Sequence, residues 1–437
     1  MVNVGISDLA KELSLLLGSV SGSWTTVAVS RANVGSPRPA RVGLGVSDGH
    51  LEAWVQSSDG MQRMSVICSD DLAKVEEHAP LLHKIVSVFN HDLEVVGDSI
   101  ESREVWLELS ETRFLRAAAR LSNISTEYLV RRIRTFEAAA RQTYEGSPFV
   151  GSVVMSHSVE TFRAHAGDRF RPFTKSVTFE QALLHEKWLK PFLEAGDFAL
   201  VTASFRGTDR GFTDAVRSWD SPELAAPTAA LEPLYGYLKP GTSILSASPV
   251  GDVYFALPTG VTFVNSKGRW RYQNWSPLMA ILLRRCSRDV AKKVLRLIRA
   301  SSYDHQGALY VMLGADVNVS DVVPDHADKG RSSETLRATV SGIRVDEPSA
   351  LSLLGVASRI DGAVVLASDG RVLDVASMIT EPSRLALEKV GVTKLVRFAG
   401  ARSTAAWNAS IYGIAIKVSD DGPVDVYEEG VLVFHAD

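Results

Sequence analysis

Three short segments in the last third of the chain carry the residue types that phosphate chemistry requires. They are Asp361-Gly362-Ala363, Gly400-Ala401-Arg402-Ser403-Thr404 and Ser419-Asp420-Asp421-Gly422. Phosphoryl transfer needs a carboxylate that holds a divalent metal or accepts a proton, and it needs cations or N–H groups that bind phosphate oxygens. The three segments supply these groups if the fold brings them together, so the surrounding elements decide whether a site can form.

The predicted elements around these segments are strands and helices of a mixed sheet. Gly307–Leu313 is a continuous apolar run, short enough for a buried strand, and Pro348–Arg359 has a helical pattern. Turn signals predict two hairpins, one joining Asp361–Ala367 to Arg371–Ile379, the other joining Ile414–Val418 to Val424–Tyr427. The expected class is α/β (α+β), with a C-terminal mixed β-sheet flanked by helices.

The remaining C-terminal segments have weaker patterns. Pro324–Ser333 is predicted as a polar loop, Thr335–Val345 as a strand or loop edge, and Glu381–Val390 as a loop with a short helix. Gly400–Ala409 is predicted to begin a helix at its glycine. The clearest helical pattern is Pro277–Ala300, whose polar side carries seven basic residues; a solvated face is the ordinary interpretation, and a phosphate or subunit contact is the alternative.

In order and spacing, the three segments resemble the signatures of the diadenylate cyclase (DAC) domain family. The family motifs read Asp-Gly-Ala, Gly-Thr-Arg-His-Arg-Ala-Ala and Ser-Glu-Glu-(Thr)-Gly. The helix upstream and His305-Gln306-Gly307-Ala308-Leu309 also resemble the family's helix and Gly-Ala-Leu strand. The resemblance covers about residues 277–437.

The resemblance implies an enzyme that joins two ATP molecules into cyclic di-AMP and releases two pyrophosphates. It implies face-to-face contact in a homo-oligomer, in which each ribose 3′-hydroxyl attacks the α-phosphate of the other nucleotide. By the same resemblance, Asp361 and Arg402 are catalytic, and Asp361 and Asp420 hold Mg²⁺ or Mn²⁺. The implied nucleotide-binding residues are Gly362, Ala363, Met378, Gly400, Ser403, Thr404 and Ser419.

The chain departs from the family pattern at two motifs. Arg402-Ser403-Thr404 replaces Arg-His-Arg, so one guanidinium and one imidazole are missing, and Ser419-Asp420-Asp421 keeps the charge with a shorter reach. A lost charge-assisted phosphate contact costs about 1.5–3 kcal/mol unless another cation replaces it. Lys417, Arg397 and the basic helix are candidate replacements.

These departures leave two alternatives to the enzyme. One is a nucleotide-binding regulatory protein that is catalytically degenerate. The other is an interaction or scaffold protein, in which Asp361-Gly362 merely shapes a strand entry and Asp420-Asp421 merely forms a hairpin turn.

The rest of the chain predicts a regulatory part. We expect residues 1–220 to be an α+β sensor region, 221–276 a linker and β-meander, and 277–437 the DAC-like domain. The sensor role rests on analogy with the family's architecture. Met1–Ser19 is predicted as an amphipathic helix, Ser110–Arg141 as two helices meeting near Asn123, and Val177–Ala195 as one amphipathic helix.

Composition bounds the partners and the compartment. The 437 residues include 47 basic and 51 acidic side chains, a net charge of -4, so nucleic acid is not an expected partner. Two cysteines do not make a disulfide framework, and no apolar run reaches the roughly 18–20 residues that a membrane span needs. A cytoplasmic protein without a membrane segment is therefore expected.

Overall fold

The computed structural model of the protein describes residues 24–31, 44–47, 50–57, 60–68, 80–81, 83–85, 87–89, 91–92, 102–122, 124–144, 146–175, 177–194, 197–203, 209–214, 226–228, 230–258, 261–323, 331–347 and 349–436. The chain divides into two compact units. The first comprises Met1–Ala225 and Glu232–Gln273, and the second comprises Ala226–Leu231 and Asn274–Asp437. The helix predicted over Met1–Ser19 lies outside the described residues.

The first unit contains a four-stranded antiparallel sheet near the amino terminus. Its strands are β1 (Trp24–Arg31), β2 (Leu44–Ser47), β3 (His50–Ser57) and β4 (Gly60–Cys68). They lie in the order β1-β4-β3-β2. The short apolar runs Trp24–Ser30, Leu51–Val55 and Met64–Cys68 predict three strands, and β1, β3 and β4 confirm them.

A larger, eight-stranded sheet completes the first unit. Its strands are β7 (Gly151–Ser156), β8 (Phe170–Pro172), β9 (Phe198–Ala203), β10 (Asp209–Asp214), β11 (Thr242–Ala247), β12 (Val253–Ala256), β13 (Thr262–Ser266) and β14 (Arg269–Gln273); β5 (Thr143–Tyr144) and β6 (Ser147–Pro148) form a separate small hairpin. The order is β14-β13-β12-β11-β7-β9-β10-β8. The meander strands β11–β14 thus continue the same sheet through the pairing of β11 with β7.

Helices accompany this sheet. They are α1 (Ser102–Ser122), α2 (Thr126–Ala140), α3 (Val159–Ala166), α4 (Leu189–Glu194) and α5 (Glu232–Tyr235). The predicted helix pair is confirmed by α1 and α2. The single helix predicted over Val177–Ala195 is wrong: a π-helical turn, Gln181–His185, ends at Glu186, and α4 begins just before Pro191. Proline lacks an N–H and fits only the first turn of a helix, which explains the restart.

The second unit is built on a six-stranded mixed sheet. Its strands are β15 (Ala308–Leu313), β16 (Ala363–Leu366), β17 (Val372–Ser377), β18 (Gly413–Val418), β19 (Val424–Glu428) and β20 (Val431–Ala436). Its helices are α6 (Ser276–Leu283), α7 (Arg288–Tyr303), α8 (Arg331–Val340), α9 (Ala350–Ala357), α10 (Arg384–Lys389) and α11 (Ala401–Ser410). The strand order is β17-β16-β15-β18-β19-β20. The α+β class, the central strand and both hairpins are as predicted.

Two predicted elements of this unit are wrong. The helix over Pro277–Ala300 is divided into α6 and α7, because Ser287 caps α7 by accepting a hydrogen bond from the Val290 N–H. The segment Thr335–Val345, predicted as a strand or loop edge, is helical in its first half, which belongs to α8. Arg337 of α8 donates hydrogen bonds to the carbonyls of Val375 and Ala376 on the edge strand β17, so α8 binds this edge of the sheet.

Helices cover both faces of the six-stranded sheet. On one face, Leu309, Val311 and Ala363 share a buried core with Trp407 of α11. On the other face, the Tyr310 hydroxyl lies 2.9 Å from Ser301 Oγ of α7. We name the first of these the α11 face. Across the described part of the chain, no helix combines the length and apolar character that crossing a membrane requires.

Replacing Gly355 by alanine is expected to stabilise the second unit. Gly355 lies inside α9, where a Cβ would meet no atom within 4 Å. Glycine inside a helix costs about 0.8–1 kcal/mol relative to alanine, so the free energy of unfolding, measured by urea titration, should rise by about that amount. Gly391→Ala is the control, because Gly391 also has open space but a φ of +72°. A loss of stability in Gly355→Ala would contradict the expectation.

Candidate functional site

The predicted segments meet at one end of the six-stranded sheet. β15 and β16 are parallel, with Tyr310 beside Val364, and β18 is antiparallel to β15, with Ala308 beside Val418. The first residues of β15 and β16 and the last residues of β18 therefore lie at the same end of the sheet. We name this the motif end. Asp361-Gly362 immediately precedes β16 there, and Ser419-Asp420 immediately follows β18.

Arg402 and Asp420 meet at this end over a glycine. The Nη1 atom of Arg402 lies 3.1 Å from Oδ1 of Asp420. A Cβ built on Gly307 would collide with both side chains, so the guanidinium and the carboxylate lie directly against the chain where β15 begins. The sequence did not predict that Gly307 makes room for these two side chains, because it shows Gly307 only as the residue before a buried strand.

The first turn of α11 presents backbone donors beside this pair. Gly400 is the N-cap residue, and the Thr404 N–H donates to the Gly400 carbonyl, so the N–H groups of residues 401–403 have no acceptor within the helix. Such groups attract anions. The hydroxyl of Thr404 accepts a hydrogen bond from the Phe398 N–H at 3.0 Å. This hydroxyl therefore shapes the loop before α11, although it was predicted to bind nucleotide.

The Asp-Gly-Ala segment packs against the end of β17. Gly362 has a φ of +118°, and a Cβ there would collide with the backbone of Ala376 and Ser377. Ala363 pairs with Ser377, and Met378, which comes next, is 66% exposed. The structure thus places Met378 beside the segment with which it was predicted to act.

Asp361 is an exposed carboxylate at the motif end. It lies two residues before Ala363, the first residue of β16, and the chain bends between them at Gly362. Asp361 makes no hydrogen bond or ion pair with the residues that the structure describes. Its oxygens therefore remain available to a metal ion or a proton on a ligand.

Arg337 of α8 contacts the end of β17, next to the Asp-Gly-Ala segment. Its Nε lies 3.2 Å from Oδ1 of Asp374, and its Nη2 donates to the Ala376 carbonyl at 2.9 Å. Ala376 has a φ of +51°, which is uncommon for a residue with a Cβ. Arg337 thus binds the strained part of β17 against which Gly362 packs. The pattern of its segment, which predicted a strand or loop edge, gave no signal for this contact.

The candidate replacement cations differ in position. Arg397 pairs with Glu381 at 2.6 Å, and both side chains are exposed. Arg284 and Arg285, in the turn between α6 and α7, both bind Glu428, which ends β19 at the opposite end of the sheet from the motif end. Among these candidate cations, Lys417 lies in β18, the strand that ends at the motif end.

Lys417 belongs to a row of three charged residues. Its Nζ lies 2.8 Å from Oδ2 of Asp425, and Nδ1 of His435 lies 2.6 Å from Oδ1 of the same carboxylate. Burial acts to raise the pKa of Asp425, but hydrogen bonds from His435 and Lys417 outweigh it and hold that pKa below its usual value. The carboxylate is therefore ionised at neutral pH.

The residues present fit a divalent ion that arrives with a phosphate ligand. The described part of the chain has no group of three or more His, Cys, Asp or Glu side chains that is arranged to hold a metal. Mg²⁺, however, is commonly held by one or two carboxylates together with substrate phosphates and water. The carboxylate oxygens of Asp361 are available to such an ion. Asp420 is bound to Arg402 and would have to give up that ion pair before it could bind a metal.

Comparisons with known proteins do not identify a family for this chain. No protein-family model matches the chain, and no curated protein matches it. Among solved structures, one match is described as "the crystal structure of the hypothetical membrane spanning protein from Bacillus cereus", at 15% identity and a TM-score of 0.24. The match covers 34% of this chain and 63% of that one, less than two thirds of its length. A likeness at this score carries no argument.

Proposed function

We propose that residues 277–437 form a DAC-type nucleotidyltransferase domain that condenses two ATP molecules into cyclic di-AMP and pyrophosphate. One observation carries the proposal: Arg402 and Asp420 meet over Gly307, at the end of the sheet where Asp361 precedes β16. The three motifs are separated in sequence, and their meeting is what a common ligand site requires. The region before residue 277 is proposed to regulate this domain.

The residues at the motif end can be given roles in this reaction. Arg402 and the N–H groups at the start of α11 bind phosphate oxygens, and Arg402 exchanges Asp420 for the triphosphate as it does so. Asp361 accepts the proton of the attacking 3′-hydroxyl or orients that group. Mg²⁺ or Mn²⁺, when bound, neutralises charge on the phosphates.

The reaction also has consequences for assembly and location. Each nucleotide is both nucleophile and electrophile, so two copies of the domain must place their motif ends face to face. Asp361 and Met378 are both exposed, as such an arrangement requires. ATP as substrate favours a cytoplasmic location.

A nucleotide-binding regulator without cyclase activity is the second candidate. Specific observations favour it: the motif retains one guanidinium, that guanidinium is bound by Asp420, and the Thr404 hydroxyl is used within its own loop. Such a protein would bind ATP and change its interactions without turnover.

A direct assay separates these candidates. The purified full chain is incubated with ATP and either Mn²⁺ or Mg²⁺, and cyclic di-AMP is sought by mass spectrometry while released pyrophosphate is measured. Product is the expected result. Saturable ATP binding without product would favour the regulator, and the absence of both would contradict a nucleotide site and leave the scaffold interpretation.

Replacing Arg402 by alanine is expected to weaken ATP binding about tenfold, because one charge-assisted phosphate contact is lost. Isothermal titration with ATP measures the change, and binding of adenosine should be nearly unaffected. Arg397→Ala is the matched control: Arg397 is an exposed arginine nearby in sequence whose partner is Glu381. Equal ATP affinity in the Arg402 variant and the wild type would remove Arg402 from the site.

A further inference from the structure

The row Lys417, Asp425 and His435 lies across three neighbouring strands. Lys417 of β18 pairs with Asp425 of β19, and Asp425 pairs with His435 of β20. Paired residues on adjacent strands point to the same face of a sheet. The row therefore crosses one face as a chain of contacts from Lys417 to His435.

That face is the one on which the motif residues meet. Ala415 belongs to the core beneath α11, and side chains two residues apart in a strand share a face, which puts Lys417 on the α11 face. Lys417 pairs with Leu309, which is two residues from Gly307. Lys417 is also two residues from Ser419, so it lies within about 7 Å of the motif end along β18.

The loop before α11 lies over the same strands. The ring of Phe398 contacts the ring of Tyr427 at a centroid distance of 6.0 Å, and Tyr427 is two residues from Asp425 on the same face. The loop that leads from Phe398 to Gly400 and Arg402 is thereby held above β19. Lys417 and Asp425 belong to the face of the sheet that this loop covers.

The burial of Lys417 is unusual for a lysine. Its side chain is 16% exposed and that of Asp425 is 15% exposed. Lysine is seldom buried unless a partner compensates its charge. Asp425 is bound through both oxygens, one to Lys417 and one to His435, whereas the ammonium of Lys417 has three donors and, within the described ranges, bonds only to Asp425. Two donors are left for a ligand.

We propose that Lys417 is a second phosphate-binding cation of this site, which contacts the triphosphate of the bound nucleotide and compensates for the basic residues missing beside Arg402. The inference rests on the nucleotide site proposed above. Asp425 and His435 are positioning residues: they fix the lysine across the sheet rather than touch the ligand. The ligand recognised by Lys417 is a polyphosphate chain, so its contribution should depend on the number of phosphates and not on the base.

Lys417→Met tests this directly. Titration calorimetry with ATP and with AMP, both with Mg²⁺, should show ATP affinity reduced about tenfold or more and AMP affinity changed less than about threefold. Lys417→Arg should retain most of the ATP affinity, because it keeps the charge. Lys389→Met is the matched control, since Lys389 is an exposed lysine at the end of α10, and it should bind both nucleotides as the wild type does.

Asp425→Asn separates phosphate binding from a merely structural ion pair. If Lys417 binds phosphate, this variant keeps the cation and an amide oxygen that accepts from Nζ, but it loses the charge that holds Lys417 in place, so ATP affinity should fall by less than in Lys417→Met, even where thermal melting shows lower stability. An equal fall in the two variants would mean that the ion pair is only structural. Lys417→Met with unchanged ATP affinity would overturn the inference, and so would an equal loss of ATP and AMP binding. Wild-type protein that binds no ATP would instead overturn the nucleotide site itself, together with the inference.

Discussion

Replacing Asp361 by asparagine should lower the rate of cyclic di-AMP formation about 1,000-fold, within the range lost when a positioned acid or base is removed. Asparagine has nearly the same shape but does not accept the proton and is a poorer metal ligand. The rate is measured at saturating ATP by mass spectrometry of the product. ATP affinity should fall much less, because the proposed phosphate-binding groups are Arg402 and the N–H groups at the start of α11.

The structure also predicts that this variant folds normally. Asp361 is exposed and, in the described part of the chain, makes no hydrogen bond or ion pair that the substitution would remove. Its melting temperature should therefore match that of the wild type. Asp316→Asn is a suitable control, because Asp316 is an exposed aspartate just beyond the far end of β15. Wild-type turnover by the Asp361 variant would show that another group performs the chemistry.

Local patterns were enough to predict the sheet around these residues. The apolar run of β15, the Asp369-Gly370 turn and the turn after Ser419 are properties of a few neighbouring residues, and each appears in the structure as a strand or a hairpin. Gly400 likewise marks the start of α11. Where local preference and tertiary packing agree, the sequence predicts the element.

Contacts between distant residues could not be predicted in the same way. The segment of Arg337 was predicted as a strand or loop edge because its period is short and ambiguous, whereas its first half is a helix that is positioned by bonds to β17, 38 and 39 residues away in sequence. The break between α6 and α7 depends on one capping serine within an otherwise helical pattern. Both errors arise where a single side chain overrides the local pattern.

The candidate site shows the same division. Residue type and spacing identified the three segments, but they did not predict which charged side chains form ion pairs with each other. Asp420 was predicted as a metal ligand and is bound to Arg402, and Lys417 was considered as a cation without a known position. These contacts depend on the register of β15 and β18. Leu309 lies beside Lys417 and Ala308 beside Val418, and this register determines which side chains of β18 lie near the motif end.

Gly307 provides the most specific test of that geometry. A Cβ at this position would overlap the Asp420 carboxylate and the Arg402 guanidinium, which are the ends of flexible side chains. Gly307→Ala should therefore cost little stability, since both ends can turn away, but it should displace the two groups. A displacement of about 1 Å in a reacting site lowers rates about 100-fold, and we expect a loss of that size in cyclic di-AMP formation.

The matched control lies at the other end of the same strand. Gly314 follows β15 as Gly307 precedes it, and a Cβ there would lie 3.4 Å from the Tyr412 carbonyl, an ordinary contact. Gly314→Ala should keep wild-type turnover, ATP affinity and melting temperature. Equal activity in both variants would mean that the Arg402–Asp420 arrangement over Gly307 has no part in the reaction. A large stability loss confined to Gly307→Ala would mean that this glycine serves packing. Only a selective loss of turnover in a folded protein ties the start of β15 to the chemistry at the motif end.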